Sequence, residues 1–320
     1  MIFTVTTSPS LDLVMDLSGQ VRAGKTLRAV KEELRPGGKG INISIMLKNL
    51  GVTSTALGFV AGFSGDELMR LTTAAGIQTG FIRVRRGRTR INLRLKEQAV
   101  NDVHQEMRIN GLGPTVTPDD INYLVRKVSA LKTSDFLVLA GTVPPSLPQD
   151  IYTTFFKAIE SHKVDVIVDA PAELLHAVLR YHPFLIKPNL EELKEYLNKE
   201  LSTTAEIIKA AHYLQKEGAL NVLVSMGSFG AVFVNVDGKE LILRAPGGVA
   251  VDKTGAGDSM VAGFLASYTK HHDLKRAAKL AVAAGSATAL SNGIAKQETV
   301  LELYEQMAPL AGTELQPLAD

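Results

Sequence analysis

Cysteine is absent from the 320 residues, and so is tryptophan. The first absence excludes disulfides, thiolate metal sites and cysteine nucleophiles, and it is compatible with a reducing compartment. Aromatic residues are only 6% of the chain. None interleaves with its one basic cluster, Arg83-Val84-Arg85-Arg86-Gly87-Arg88-Thr89-Arg90, so the stacking platforms of a nucleic-acid surface are missing there. A formal net charge of +2 adds no global pull toward nucleic acid or an anionic membrane. No apolar run reaches the length that spans a bilayer. The first residues, Met1-Ile2-Phe3-Thr4-Val5-Thr6, carry no basic segment ahead of a long apolar stretch, so no secretory leader is expected and the cytoplasm is the expected location.

Hydrophobic content of 45% and charged content of 21% are those of an ordinary globular protein, long enough for one large α/β unit or two modest domains. Short apolar runs at 2–5, 55–59, 136–140, 164–169, 184–186 and 221–224 predict strands. Amphipathic segments near 40–50, 65–75, 118–131, 148–160 and 204–217 predict helices between them. Alternation of this kind, with near-continuously apolar strands, predicts a parallel sheet covered on both faces. Runs at 231–236 and 240–243, joined by Asp237-Gly238-Lys239, predict an antiparallel hairpin at one edge. Helices over 258–270, 274–291 and 296–307 close the pattern, and the tail 312–320 is expected to be loosely ordered.

Two stretches break the alternation. Residues 11–35 and 82–110 read as β-rich, and Arg90-Ile91-Asn92-Leu93-Arg94-Leu95-Lys96 alternates polar with aliphatic residues, as a strand covered on one face does. They predict a small discontinuous β subdomain beside a main unit of residues 1–10, 36–81 and 111–312. A thin sheet must bury its apolar face, either over an active site or against a second copy.

The densest chemistry lies in Thr254-Gly255-Ala256-Gly257-Asp258, which runs into the apolar segment Ser259-Met260-Val261-Ala262-Gly263-Phe264-Leu265. Small residues opening a helix offer bare N–H groups to an anion, and the acid at their end can accept a proton. A glycine turn with Asp258 as a helix cap fits the same residues. A second glycine-rich turn, Pro36-Gly37-Gly38-Lys39-Gly40-Ile41-Asn42, lets a polar ligand approach the backbone, with Lys39 and Asn42 in reach of phosphate or hydroxyls. Gly19-Gln20-Val21-Arg22-Ala23-Gly24-Lys25-Thr26 matches the P-loop pattern, but Arg35-Pro36-Gly37-Gly38 interrupts any helix after Thr26 and the apolar residues there form no stripe, so the match is rejected.

Five segments in order carry a resemblance. They are Ser8-Pro9-Ser10-Leu11-Asp12; Pro36 to Asn42; Lys187-Pro188-Asn189-Leu190-Glu191-Glu192; Ser225-Met226-Gly227-Ser228-Phe229-Gly230; and Thr254 to Asp258. Together they resemble the ribokinase-like sugar kinase family over nearly the whole chain. The resemblance implies a ribokinase-like three-layer α/β/α fold with a mostly parallel central sheet and a small β-sheet lid, and transfer of phosphate from ATP to a sugar phosphate with Mg²⁺. Thr89-Arg90-Ile91-Asn92 and Ile109-Asn110-Gly111 are most similar to the branch acting on fructose 1-phosphate, with tagatose 6-phosphate kinases the nearest alternative. A homodimer through the lid follows from the resemblance and from the thin-sheet argument.

The resemblance also implies roles. Asp258 would be the base, with a pKa lowered by the helix end. The N–H groups of Gly255, Ala256 and Gly257 would stabilise the transferring phosphoryl group. Asp12 and Asn42 would hold sugar hydroxyls against the bare backbone of Gly38. Lys39 and Arg90 would grip the phosphate already on the substrate, with Arg28 a further candidate across a dimer. Lys187, Ser225, Gly227, Gly230 and Thr254 would line the ATP site, and Asn189 and Glu192 would organise Mg²⁺ through water. Asn189 and Glu192 are also spaced as a helix capping box. Ser8, Ala140-Gly141-Thr142-Val143-Pro144, Asp169-Ala170-Pro171-Ala172 and Asp252-Lys253 depart from the usual pattern.

Overall fold

A computed structural model describes residues 1–22, 24, 26–97 and 106–307. The expected loose tail and residues Ala23 and Lys25 lie outside these residues.

The strands are β1 (Ile2–Thr6), β2 (Ser10–Leu17), β3 (Ala29–Gly37), β4 (Ser54–Val60), β5 (Gln78–Thr79), β6 (Ile82–Arg83), β7 (Arg90–Lys96), β8 (Glu106–Ile109), β9 (Phe136–Ala140), β10 (Asp165–Asp169), β11 (Leu185–Ile186), β12 (Asn221–Ser225), β13 (Ala231–Val234) and β14 (Glu240–Leu243). The helices are α1 (Lys39–Asn49), α2 (Gly62–Ala74), α3 (Pro118–Ser129), α4 (Ile151–Ala158), α5 (Ala172–Val178), α6 (Leu190–Leu197), α7 (Thr204–Lys216), α8 (Ala256–His271), α9 (Leu274–Ala289) and α10 (Gln297–Gln306).

The main sheet runs β14-β13-β12-β11-β10-β9-β1-β4-β5, with β6 also on β4. From β12 to β5 every pairing is parallel, and the hairpin strands β13 and β14 add antiparallel at the edge. Side chains alternate across the pleat, so one strand feeds two cores. In β9, Leu137 and Leu139 join a core beneath α3 to α7. Phe136, Val138 and Ala140 join the opposite core, beneath α1 and α8 to α10. Both layers are therefore sealed, as the uninterrupted apolar runs required. This is the three-layer ribokinase-like architecture.

The smaller sheet runs β3-β2-β7-β8. Residues opposite one another share a face, and the register sorts them sharply. Leu13 faces Leu34 and Leu93, Leu93 faces Ile109, and Leu95 faces Met15 and Met107. One step along, Asp12 faces Arg35 and Asn92, and Arg94 faces Arg108. One face is thus apolar and the other charged. The charged face turns toward the main body. On the apolar face Leu34, Met107 and Ile109 are exposed. Residues 82–83, read from sequence with the small subdomain, instead pair with β4 of the main sheet. The P-loop match leads into strand β3 at Ala29 and no helix comes after it, which is fatal to that motif.

Candidate active site

Strands β1 and β10 and helices α1 and α8 deliver the central residues. The parallel strands point the same way, so the loops leaving their C-terminal ends gather along one edge of the sheet. Gly38, the residue before α1, has φ +118°, and a side chain there would begin 2.7 Å from Thr6 Cγ2. Gly255 opens α8 at φ +80°, where a Cβ would lie 2.5 Å from Ile294 Cδ1. Both positions therefore need glycine.

Asp258 stands in the first turn of α8 and is 6% exposed. Asn42 of α1 donates its side-chain N–H to Asp258 Oδ2 at 2.8 Å, across 216 residues of sequence. Asp169, at the end of β10, is fully buried and lies 3.1 Å from Lys39 Nζ and 3.3 Å from Lys187 Nζ. Lys187 Nζ is also 3.2 Å from where a side chain on Gly257 would begin. Two carboxyls and two ammonium groups thus form one cluster, buried except at Lys39, whose side chain is 37% exposed.

The two acids behave oppositely. For Asp169, burial opposes the charge, but Lys187 and Lys39 outweigh it and hold the carboxyl below its ordinary range. For Asp258, burial and the neighbouring Asp169 outweigh Lys39, Asn42 and Lys187, and the carboxyl is pushed up to about 6. This overturns the lowering expected from the helix end. Desolvation is a tertiary effect that exceeds the pull of one helix terminus here. Neighbours that push two acids apart in this way leave Asp169 a charged counter-ion and make Asp258 the candidate proton acceptor. Lys39 stays charged: burial works against it, but Asp169, Asp258 and Glu192 raise its pKa.

The backbone cradle has two arms. Among the described residues the N–H groups of Gly255 and Gly257 have no acceptor, whereas that of Ala256 turns back to Lys253 O at 3.3 Å. Ala256 is therefore engaged in its own turn and not free as expected.

Beside this centre a cavity of about 430 Å³ opens between the two sheets, lined by Asp12, Asn42, Asn92, Arg94 and Thr254 among others. Asp12 Oδ1 takes hydrogen bonds from Ser10 Oγ at 2.7 Å and Asn92 Nδ2 at 2.8 Å. These fix the carboxylate while Oδ2 keeps its lone pairs for a ligand. The Arg90 guanidinium is half-buried with Asp12 in electrostatic range; burial lowers its pKa and Asp12 opposes that. Its Nε is buried without a partner, and Arg90 is not among the residues that line the cavity.

Several expected placements differ. Lys39 is paired with Asp169 rather than left free for a substrate phosphate. Thr254, expected beside ATP, lines the cavity with Asp12 and Asn42. Arg28 is exposed just before β3, at the end of the β2–β3 hairpin opposite the one that joins Asp12 to Arg35, so its own chain does not bring it to the site. On the other flank, Asn189 bridges to Ser225, bringing together the ends of β11 and β12, and the turn after Ser225 holds Gly227 at φ +59° and Gly230 at φ +100°. Asn189 and Glu192 cap α6 reciprocally, at 2.9 and 2.8 Å.

The sequence gives Asn92 no site role, and Asp169 enters only with the rejected P-loop match and as a departure from the usual pattern. The available signal for Asp169 was an acid ending the wholly apolar strand Val166-Ile167-Val168. For Asn92 it was a polar residue two places after Arg90, which puts both on one strand face.

A proton acceptor that titrates near neutrality, set against two ammonium groups and free N–H donors, suits transfer of a phosphoryl group to a hydroxyl. With the layered fold it defines a sugar kinase of the ribokinase-like class. Residues 5–299 match the pfkB family of carbohydrate kinases, and the chain belongs to that family. It is 36% identical to 1-phosphofructokinase of Bacillus subtilis over 96% of this chain and 98% of that protein. It is 33% identical to D-tagatose-1-phosphate kinase of Bacillus licheniformis, over 92% of this chain and 94% of that protein. Among solved structures, phosphofructokinase-2 of Escherichia coli in complex with substrates and products superposes with a TM-score of 0.89 at 28% identity, covering 96% of this chain and 99% of that one.

Proposed function

We propose that the protein transfers the γ-phosphoryl group of ATP to O6 of fructose 1-phosphate, giving fructose 1,6-bisphosphate and ADP. The observation that carries the reaction type is the Asn42–Asp258 contact, which joins a base to a cavity bounded by Asp12. Asp12 and Asn42 hold sugar hydroxyls, and Arg90 takes the phosphate the sugar already bears. Asp258 accepts the proton of the O6 hydroxyl as that oxygen bonds to the γ-phosphorus and the bond to ADP breaks. Gly255 and Gly257 N–H groups, with Lys39 and Lys187, stabilise the charge on the transferring oxygens. Ser225, Gly227 and Gly230 flank the nucleotide.

For Mg²⁺, no cluster of three acidic, histidine or cysteine side chains exists among the described residues. Asn189 and Glu192 each commit one oxygen to the α6 cap, leaving Glu192 a second carboxylate oxygen outside that cap. These residues fit an ion held through water and phosphate oxygens, and when bound it neutralises charge on the nucleotide.

The 1-phosphofructokinase and D-tagatose-1-phosphate kinase relatives, at 36% and 33% identity, favour C1 for the phosphate on the substrate, against phosphofructokinase-2 at 28%, which was solved with fructose-6-phosphate. Rates of ADP release with fructose 1-phosphate, tagatose 6-phosphate and fructose 6-phosphate test the choice. A kcat/KM at least tenfold higher for fructose 1-phosphate is expected, and preference for either 6-phosphate would overturn it.

The pH profile derives from Asp258. Its base form exists above about 6, so kcat/KM should fall as pH drops through about 6. A flat profile from pH 7 to 5 would remove Asp258 as base.

The exposed apolar face of the smaller sheet supports a homodimer in which a second copy covers Leu34, Met107 and Ile109. That pairing is also the route by which Arg28 of one copy reaches the other's site. Equilibrium sedimentation should give twice the chain mass of 34.4 kDa; a monomer at assay concentration would refute the pairing. Its expected location remains the cytoplasm.

A further inference from the structure

Asp252 is 1% exposed and lies six residues before Asp258, on the loop that delivers Gly255. In the sequence it is notable only as a departure from the small or polar residues usual there. In the structure it is the meeting point of the two sheets. Arg94, on the charged face of β7, clamps it with both terminal nitrogens: Nη1 to Oδ2 at 2.7 Å and Nη2 to Oδ1 at 2.9 Å. Glu106 of β8 orients the same guanidinium, accepting from Nη2 at 2.7 Å, and Lys96 Nζ stands 3.8 Å from Asp252 Oδ2. On its other side Asp252 Oδ1 accepts the backbone N–H of Thr254 at 3.0 Å. Behind it, the N–H groups of Val251 and Asp252 both reach Ala289 O, at 2.8 and 3.2 Å.

The connections form one path. It runs from the sugar-facing strand that carries Arg90 and Asn92, through the Arg94 fork, to the carboxylate of Asp252. From there it passes to the Thr254 amide, one residue before the glycine that opens the cradle. The bidentate geometry fixes angle as well as distance. The fork spans from the smaller sheet to the loop that precedes α8, and both partners line the cavity.

We propose that Arg94 and Asp252 are positioning residues that couple seating of the smaller sheet on the sugar phosphate to the alignment of the Gly255–Asp258 cradle. The inference rests on the kinase reading of the site. Neither side chain need touch the reacting atoms. A displacement of about 1 Å at a transfer centre costs on the order of 100-fold in rate, so a clasp of this kind acts on kcat.

Removing one partner alone strands the other's charge in a buried place and endangers folding. The test therefore uses the double variant Arg94→Gln/Asp252→Asn, which keeps the shape and removes both charges, together with Arg94→Lys. The unaltered protein is assayed first for sugar-phosphate-dependent ADP release; failure there sinks the kinase reading and not the clasp. The double variant should melt within a few degrees of the unaltered protein and bind ATP, by direct titration, with little change. Its kcat with fructose 1-phosphate should fall by about 10- to 100-fold. Arg94→Lys, which retains the charge without the fork, should recover part of the rate. A folded double variant with kcat within twofold of the original overturns the proposal. So does a loss that merely tracks the fraction of unfolded protein.

Discussion

Asp258→Asn is expected to lower kcat by about 10²- to 10⁴-fold, the scale of a lost general base, while leaving the fold intact. The amide keeps the shape and the contact with Asn42 but cannot take the hydroxyl proton. The stability consequence has a definite sign. Because the folded-state pKa of Asp258 is raised from 3.8 to about 6, the folded protein binds this proton more tightly than the unfolded chain does. That stabilisation is full below the unfolded value and is lost as pH rises through about 6. At pH 8 the buried charge weighs against the native state, so Asp258→Asn should melt no lower than the original protein and somewhat higher. Steady-state kinetics and calorimetry at pH 8 check both halves. Near-full activity would dismiss Asp258 as the base, and a lowered melting point would contradict the account of its burial.

Arg90→Ala is expected to raise KM for fructose 1-phosphate by about 10- to 100-fold, the worth of hydrogen bonds to a charged group, with KM for ATP changed less than about twofold. The reason is specific. Arg90 shares a strand face with Asn92 and lies within electrostatic range of Asp12, which places its charge beside the groups that hold the sugar. Unphosphorylated fructose, if turned over at all, should show no such change, because it lacks the group Arg90 serves. Equal increases in KM for sugar and nucleotide would place Arg90 elsewhere in the mechanism.

Much of this geometry is legible in the sequence. The strand over 136–140 falls where the apolar run puts it, and the hairpin with Asp237-Gly238-Lys239 at its turn forms the antiparallel edge. Long periodic segments reveal themselves because burial repeats at the pitch of the element. Short ones do not: β5 and β6 have two residues each, too few for any period, and Ile82–Arg83 was assigned to the wrong sheet. Helix α5 was missed because Asp169-Ala170-Pro171-Ala172 reads as a turn, yet Pro171 is the residue before the helix, where proline is tolerated.

The site divides along the same line. Gly255, Asp258, Gly38 and Asn42 are adjacent to their own structural cause, a glycine turn opening a helix, and are legible. Lys39 and Asp169 are 130 residues apart, and Arg94 and Asp252 are 158 apart. Nothing local marks either pair. The pKa of Asp258 escapes the sequence for the same reason: the helix end is visible there, but the packing that dries the carboxyl is not.

The most direct measurement of the central claim is stoichiometric. Fructose 1-phosphate and MgATP are incubated with the protein, and ADP is counted against fructose 1,6-bisphosphate, which aldolase cleaves to two triose phosphates. The account predicts one bisphosphate for each ADP, with both formed at least about 100-fold more slowly by Asp258→Asn. ADP release without bisphosphate, or bisphosphate formed at the unaltered rate by Asp258→Asn, would contradict it.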